Sequence, residues 1–225
     1  MAKIKAIGFD FDDTLILSEK EKADIFEEIF YRKYKIKKGV KKAYIALLGT
    51  ANRKDKIRKM INKFLRRAAT KQEVKELSYS FSKGYEYKLS DCPLVQCTNM
   101  LTELKKQVKF MFLLSLENRD VIIKIVEHCG IAKYFDEVLG GPKSKLTNFK
   151  HLINKHGVKP EETIYIGDSK GDIIKSKKLK FKSIGIQKKF SYKKLLKNLG
   201  ADFTFSSLCE IPFKHLTHEH LYTKK

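Results

Sequence analysis

From residue 98 to residue 205, short apolar runs alternate with stretches of helical periodicity, and nothing else in the chain restricts its fold as strongly. The pattern predicts strands over 108–114, 135–139, 163–166, 181–186 and 203–205, with helices over 98–107, 118–129, 145–156, 172–179 and 192–199. Gly130, Gly157 and Gly200 stand where helices stop, and Pro160 follows where a helix seldom continues. Strands separated by helices are joined by right-handed crossovers, so the sheet they build is parallel and the class is α/β. One more apolar run, 4–9, reads as a strand buried on both faces.

Residues 17–90 differ in character. Ser18-Glu19-Lys20-Glu21 has the form of a capping box. Apolar residues then recur at helical spacing in four sets: Ala23, Phe26, Ile29 and Phe30; Val40, Ala43, Tyr44, Leu47 and Leu48; Ile57, Met60, Ile61, Phe64 and Leu65; and Val74, Leu77, Phe81 and Tyr85. Lys38-Gly39 and Gly49 separate the first three. Consecutive amphipathic helices of this kind form a small bundle. The expected organisation is therefore a core of residues 1–16 plus 91–225, with a helical domain over 17–90 inserted after the first strand. An insert that leaves and rejoins at a strand's carboxyl end would hang over the site there as a lid.

Composition excludes several classes. No run of about 18 apolar residues is present, so no membrane span is expected. Met1-Ala2-Lys3 leads directly into a strand, which leaves no secretion signal and predicts a cytoplasmic protein. Cys92, Cys97, Cys129 and Cys209 lack a Cys-x-x-Cys pair and read as reduced thiols. His215, His218 and His220 could bind a transition metal but read first as a solvated tail. A net charge of +22 favours anionic ligands. The lysines are scattered and accompany no nucleic-acid-binding motif, so nucleic acid is a compatible partner but not the favoured one. A monomer or homodimer is expected.

Chemistry concentrates at predicted strand ends, where open α/β sheets bind their ligands. Asp10-Phe11-Asp12-Asp13-Thr14 follows the first strand. Asp10 and Asp12, two apart, can hold a hard cation or divide nucleophile and acid roles. Ser115 follows the second strand, and a hydroxyl beside free amides at a helix entry suits an anionic oxygen. Gly167-Asp168-Ser169-Lys170-Gly171-Asp172 follows the fourth, placing Asp168 within reach of the Asp10 pocket and Asp172 in the first helical turn. Lys143 and Lys145, between the third strand and its helix, each offer a cation. Ser144 is a plausible helix cap, which favours Lys145. In the helical domain, Arg53 and Arg58 are candidates for a second anionic group, although solvated helix charges are the commoner case.

In this order, Asp10-x-Asp12-x-Thr14, Ser115, a lysine at 143 or 145, and Gly167-Asp168 with Asp172 resemble the four motifs of the haloacid dehalogenase-like hydrolase superfamily. The insert resembles the helical cap of its C1-type members, the group containing phosphoglycolate phosphatase and β-phosphoglucomutase. The resemblance implies a Rossmann-like parallel sheet core flanked by helices, with an inserted helical-bundle cap. It implies Asp10 as nucleophile and Asp12 as general acid and base. Mg²⁺ would be held by Asp10, Asp168 and the backbone carbonyl of Asp12. Ser115 and Lys145, or Lys143 in its place, would hold phosphoryl oxygens, with Thr14 and Asp172 supporting them. The third motif departs from the family, because neither lysine is followed by proline. Asp12 argues for phosphoryl transfer, since a departing halide needs no acid. The implied function is Mg²⁺-dependent hydrolysis of a small phosphate monoester through an aspartyl-phosphate. The alternatives are a phosphosugar mutase, a 3′-phosphatase acting on nucleic-acid ends, and a basic binding protein that kept the scaffold.

Overall fold

The computed structural model describes residues 3–47, 52–89, 98–187, 190–213 and 216. The chain divides into two compact units, one of Met1–Leu17 with Pro93–Lys225 and one of Ser18–Cys92. No helix among the described residues is long and apolar enough to cross a membrane.

The first unit is an α/β layer structure. Its six strands among the described residues are β1 (Ala6–Asp10), β2 (Phe110–Asn118), β3 (Glu137–Gly141), β4 (Thr163–Gly167), β5 (Lys182–Ile186) and β6 (Phe203–Phe205). They lie in the order β3-β2-β1-β4-β5-β6, and every pairing is parallel. β1 sits centrally, between β2 and β4, at the point where strand order reverses and ligands bind in such sheets. Its five residues are all buried, as expected for a strand covered on both faces.

Gly8 on β1 stands opposite Phe112 of β2 and Tyr165 of β4. A Cβ there would lie 2.1 Å from Phe112 Cε2 and 2.8 Å from Tyr165 Cδ2. The missing side chain is what lets both rings lean over the central strand. Phe149 and Phe181 pack edge-on to each other, and Phe149 meets Tyr165 edge-on at 4.8 Å. Each of these rings, fully buried, contributes about 1.5–3 kcal/mol of transfer free energy.

The helical unit holds α1 (Glu19–Tyr34), α2 (Val40–Ala46), α3 (Arg53–Leu65) and α4 (Lys71–Leu89). The buried residues of α1 and α4 include the apolar sets read from the sequence, while in α3 Ile57, Met60 and Ile61 are buried and Phe64 and Leu65 are only partly so. Gly39, at φ +83°, enters α2, while Lys35 in the left-handed region ends α1. The capping box expected at Ser18 does not form. Its backbone, at φ −120° and ψ −4°, is not extended, and the side chain makes no cap hydrogen bond. A working capping box occurs instead at α4. There Glu73 N–H donates to Thr70 Oγ1 at 3.1 Å and Thr70 N–H donates to Glu73 Oε2 at 2.9 Å.

The remaining α-helices among the described residues are α5 (Asn99–Gln107), α6 (Arg119–His128), α7 (Lys145–His156), α8 (Lys170–Lys178) and α9 (Phe190–Asn198). Cys209 is disulfide-bonded, which corrects the reading of four reduced thiols, while Cys129 is free and half-buried. Cys92, Cys97, His215, His218, His220 and residues 48–51 lie outside the described residues.

Candidate active site

Asp10 is the last residue of β1. Its Oδ1 accepts the Phe11 N–H at 2.8 Å and the Lys145 ammonium at 2.8 Å. After it the chain turns tightly, because Leu15 and Ile16 N–H groups both donate to the Phe11 carbonyl and Asp13 N–H donates to that of Ile16. Asp13 takes φ +57° in this turn, a conformation in which Asp is tolerated. Asp12 is partly exposed, and its backbone forms an isolated bridge with Ile16. Thr14 is buried, and its Oγ1 has no hydrogen-bond partner.

Asp168 follows β4 and is partly exposed. Ser169 then caps α8 in a complete capping box, with Ser169 Oγ donating to Asp172 Oδ2 at 2.6 Å and the Ser169 N–H donating to the same oxygen at 3.1 Å. Gly167 makes room for that carboxylate, since a Cβ there would lie 2.7 Å from Asp172 Cγ.

Lys145 opens α7, where the Ser144 side chain caps by accepting the Thr147 N–H at 3.1 Å. The lysine is only 3% exposed, and its three protons have three acceptors. These are Asp172 Oδ1 at 2.6 Å, Asp10 Oδ1 at 2.8 Å and the Tyr165 hydroxyl at 3.2 Å. Lys143 is exposed to solvent. Of the two candidate lysines, the fold brings Lys145 to the acidic cluster.

Ser115 requires a correction. β2 does not stop at Leu114; it runs to Asn118, with a register shift against β3 between Leu114 and Asn118. Ser115 is therefore a buried strand residue, and Asn118 caps the following helix. Its Oγ accepts the Glu117 N–H at 3.0 Å, an intrastrand contact in place of the helix-entry arrangement expected. Its position one residue beyond Leu114, which pairs with Asp10, keeps it at the end of β1.

Arg53 and Arg58 are engaged within the helical unit. Arg58 pairs with Asp55 at 2.7 Å, and Arg53 donates to Ser82 Oγ at 2.8 Å while lying over the Phe81 ring.

One oxygen from each of Asp10, Asp168 and Asp172 lies within 4.8 Å of the others. Burial pushes the Asp10 carboxyl up to about 7, against the pull of Lys145. Burial and then repulsion from Asp10 and Asp172 hold Asp168 well above the usual carboxylate range. Burial opposes ionisation of Asp172 too, yet Lys145 and the Ser169 contacts outweigh it and keep its pKa low. Burial works against the Lys145 ammonium, but Asp10 and Asp172 overcome it and the lysine stays protonated. Ionising all three carboxylates beside one ammonium would leave two negative charges uncompensated, which is why two of the acids hold their protons more tightly than usual in this site of oxygen donors. That charge and donor set fit a divalent metal ion.

Sequence reasoning passed over Tyr165. Its phenol is kept neutral by burial, and it reaches both Lys145 and, at 3.5 Å, the Leu114 carbonyl. The available signal was a lone aromatic in Thr163-Ile164-Tyr165-Ile166-Gly167, two residues ahead of the acidic turn.

A phosphoglycolate phosphatase of Vibrio parahaemolyticus is 33% identical over 116 residues, which are 49% of this chain and 51% of that protein. The chain thus spans about half the length of that relative. A crystal structure of a predicted phosphoglycolate phosphatase from Haemophilus somnus superposes with a TM-score of 0.79 at 21% identity, covering 92% of this chain and 96% of the other. The HAD-hydrolase YfnB of Bacillus subtilis, in a form bound to magnesium, superposes with a TM-score of 0.70 at 14% identity, covering 99% and 100%. At these identities the two structures establish the fold alone. Residues 7–186 match the family described as Haloacid dehalogenase-like hydrolase, and the chain belongs to that family.

Proposed function

We propose that this protein is a Mg²⁺-dependent phosphatase acting on a small phosphate monoester. The observation that carries the reading is the Lys145 ammonium bridging Asp10 and Asp172, with Asp168 in the same acidic cluster. A cation-bridged carboxylate at the end of a central strand is placed for nucleophilic attack on an anionic group, which an isolated acidic turn is not.

In this reading Asp10 attacks phosphorus, an aspartyl-phosphate forms, and the bond to the leaving oxygen breaks. Asp12 gives that oxygen its proton, then takes a proton from the water that hydrolyses the intermediate. Phosphate leaves and Asp10 is restored. Lys145, exchanging its Asp10 contact for a phosphoryl oxygen, and the Ser115 hydroxyl hold the phosphoryl group as charge shifts. Mg²⁺, held by Asp10, Asp168 and the Asp12 carbonyl, would neutralise the charge that otherwise keeps a carboxylate from a phosphate. Thr14 supports the first turn, and Asp172 orients Lys145. The helical unit acts as the cap that selects the substrate. The names of the relatives support phosphoglycolate as the first substrate to test.

Hydrolysis of p-nitrophenyl phosphate is expected to require Mg²⁺, to stop with EDTA, and to be abolished in Asp10→Asn. Metal-independent turnover, or turnover retained in that variant, refutes the assignment. A screen of phosphoglycolate, sugar phosphates and nucleotides by kcat/KM then ranks substrates, and isomerisation of a sugar phosphate without phosphate release would reveal a mutase.

A further inference from the structure

We infer that Tyr165 is a positioning residue for the phosphoryl-transfer site, holding the Lys145 ammonium through its hydroxyl and tying it to the strand that carries Ser115. The inference rests on the reading of Lys145 as a phosphoryl-oxygen ligand.

Four observations support it. First, the hydroxyl supplies the third acceptor of Lys145, at 3.2 Å, alongside carboxylate contacts at 2.8 and 2.6 Å. An ammonium on a flexible four-carbon stem has no preferred direction of its own, so its placement is set by its acceptors. With only two carboxylates it could swing about the line joining them; a third acceptor removes that freedom. Second, having accepted from Lys145, the hydroxyl points its own proton at the Leu114 carbonyl, 3.5 Å away and one residue before Ser115. The relay runs from the ammonium to the phenol to β2.

Third, Tyr165 belongs to β4, yet it reaches β2 across β1, which lies between them. It can do so because Gly8 offers no Cβ, which would otherwise stand 2.8 Å from the ring. Fourth, the ring has almost no room to move. It is 1% exposed, stacked with Phe112 and edge-on to Phe149, with the Lys145 ammonium 5.6 Å from its centroid. A rigid, buried phenol is a better fixture than a water or an exposed side chain. Packing alone would be met equally well by phenylalanine; what phenylalanine lacks is the hydroxyl that meets Lys145.

The test is Tyr165→Phe in the full chain, assayed with p-nitrophenyl phosphate and saturating Mg²⁺. The substitution removes one neutral acceptor from a charged donor, and kcat is expected to fall about tenfold with KM changing less than twofold. Inhibition by vanadate, a mimic of the transferring phosphoryl group, should weaken by a similar factor, while inhibition by inorganic phosphate stays within twofold. Phe149→Leu is the structural comparison, because it loosens the same ring cluster and leaves the hydroxyl in place. It should lower Tm and cost clearly less kcat than Tyr165→Phe, because the hydroxyl that meets Lys145 is still present. The inference is overturned if Tyr165→Phe keeps its kcat, if Phe149→Leu loses as much kcat as Tyr165→Phe, or if Tyr165→Phe fails to fold. The last result would assign the hydroxyl to stability. A wild-type protein without Mg²⁺-dependent phosphatase activity defeats the proposed function itself, whereas an active wild type with an indifferent Tyr165→Phe defeats only this inference.

Discussion

Replacing Asp10 by asparagine should stabilise the metal-free protein while it destroys activity. The two contacts that Asp10 makes, with Phe11 N–H and Lys145, both use Oδ1, so an asparagine carbonyl in that place keeps them. What the substitution removes is a buried charge beside Asp168 and Asp172. The sign follows from the raised pKa. The folded protein holds the Asp10 proton up to about pH 7, whereas the unfolded chain releases it near 3.8. Between those values the folded state binds more protons than the unfolded one, so stability falls as pH rises through that window and the loss is complete above it. Each pKa unit corresponds to about 1.4 kcal/mol, which makes the cost at pH 8 about 4 kcal/mol at most. Asparagine does not titrate, so it avoids that cost. For a chain of this size, each kcal/mol moves Tm by about 2–4 °C. In EDTA at pH 8, thermal unfolding of Asp10→Asn should come roughly 5–15 °C above wild type. The gap should close as the pH approaches 4. Adding Mg²⁺ should raise the wild-type Tm more than that of the variant. A metal-free Asp10→Asn protein that melts at or below wild type at pH 8 would refute the claim that Asp10 is held as a costly buried charge.

Three further outcomes are expected. Glu73 accepts from both Arg67 guanidinium nitrogens, the Tyr34 hydroxyl and the Thr70 N–H, and the Arg67 contact foremost holds its pKa low. Its stabilisation is present above the unfolded value near 4.5 and is lost as pH falls below it. Glu73→Gln should therefore cost the helical unit about 1–2 kcal/mol at pH 7, after solvent screening, and progressively less as pH falls below 4.5, measured by urea unfolding across pH; equal stability at pH 7 counts against it. Gly8→Ala forces the Phe112 and Tyr165 rings aside and should destabilise by about 1–3 kcal/mol in a denaturant titration, with an unchanged midpoint as the contrary result. Gly167→Ala drives a methyl into the Asp172 carboxylate, which should lower kcat by about tenfold or more in the phosphatase assay; wild-type turnover would show that Asp172 can shift without disturbing Lys145.

Much of this was legible in one dimension. The central strand, the order of the acidic turns and the amphipathic helices depend on residues close together in sequence, whose periodicity reports which faces are apolar. Ser144 capping α7 and Asp172 in the first turn of α8 are likewise local, whereas the Ser169 cap that starts α8 at Lys170, two residues ahead of the helix expected, was not read. Local signals failed in three places. Ser18 carries the letters of a capping box but has the wrong backbone angles for one. β2 continues past Ser115 because β3 offers it a partner as far as Gly141. The disulfide at Cys209 left no local mark at all.

Residue order alone specifies a parallel α/β layer with a helical insertion and names the acids at its strand ends. Which lysine meets those acids, and that a tyrosine from β4 stands behind it, follow from the folded chain. The physical reason is that strand order, not sequence distance, puts β4 beside β1, and a side chain as long as lysine can reach several places until the fold leaves it one set of acceptors.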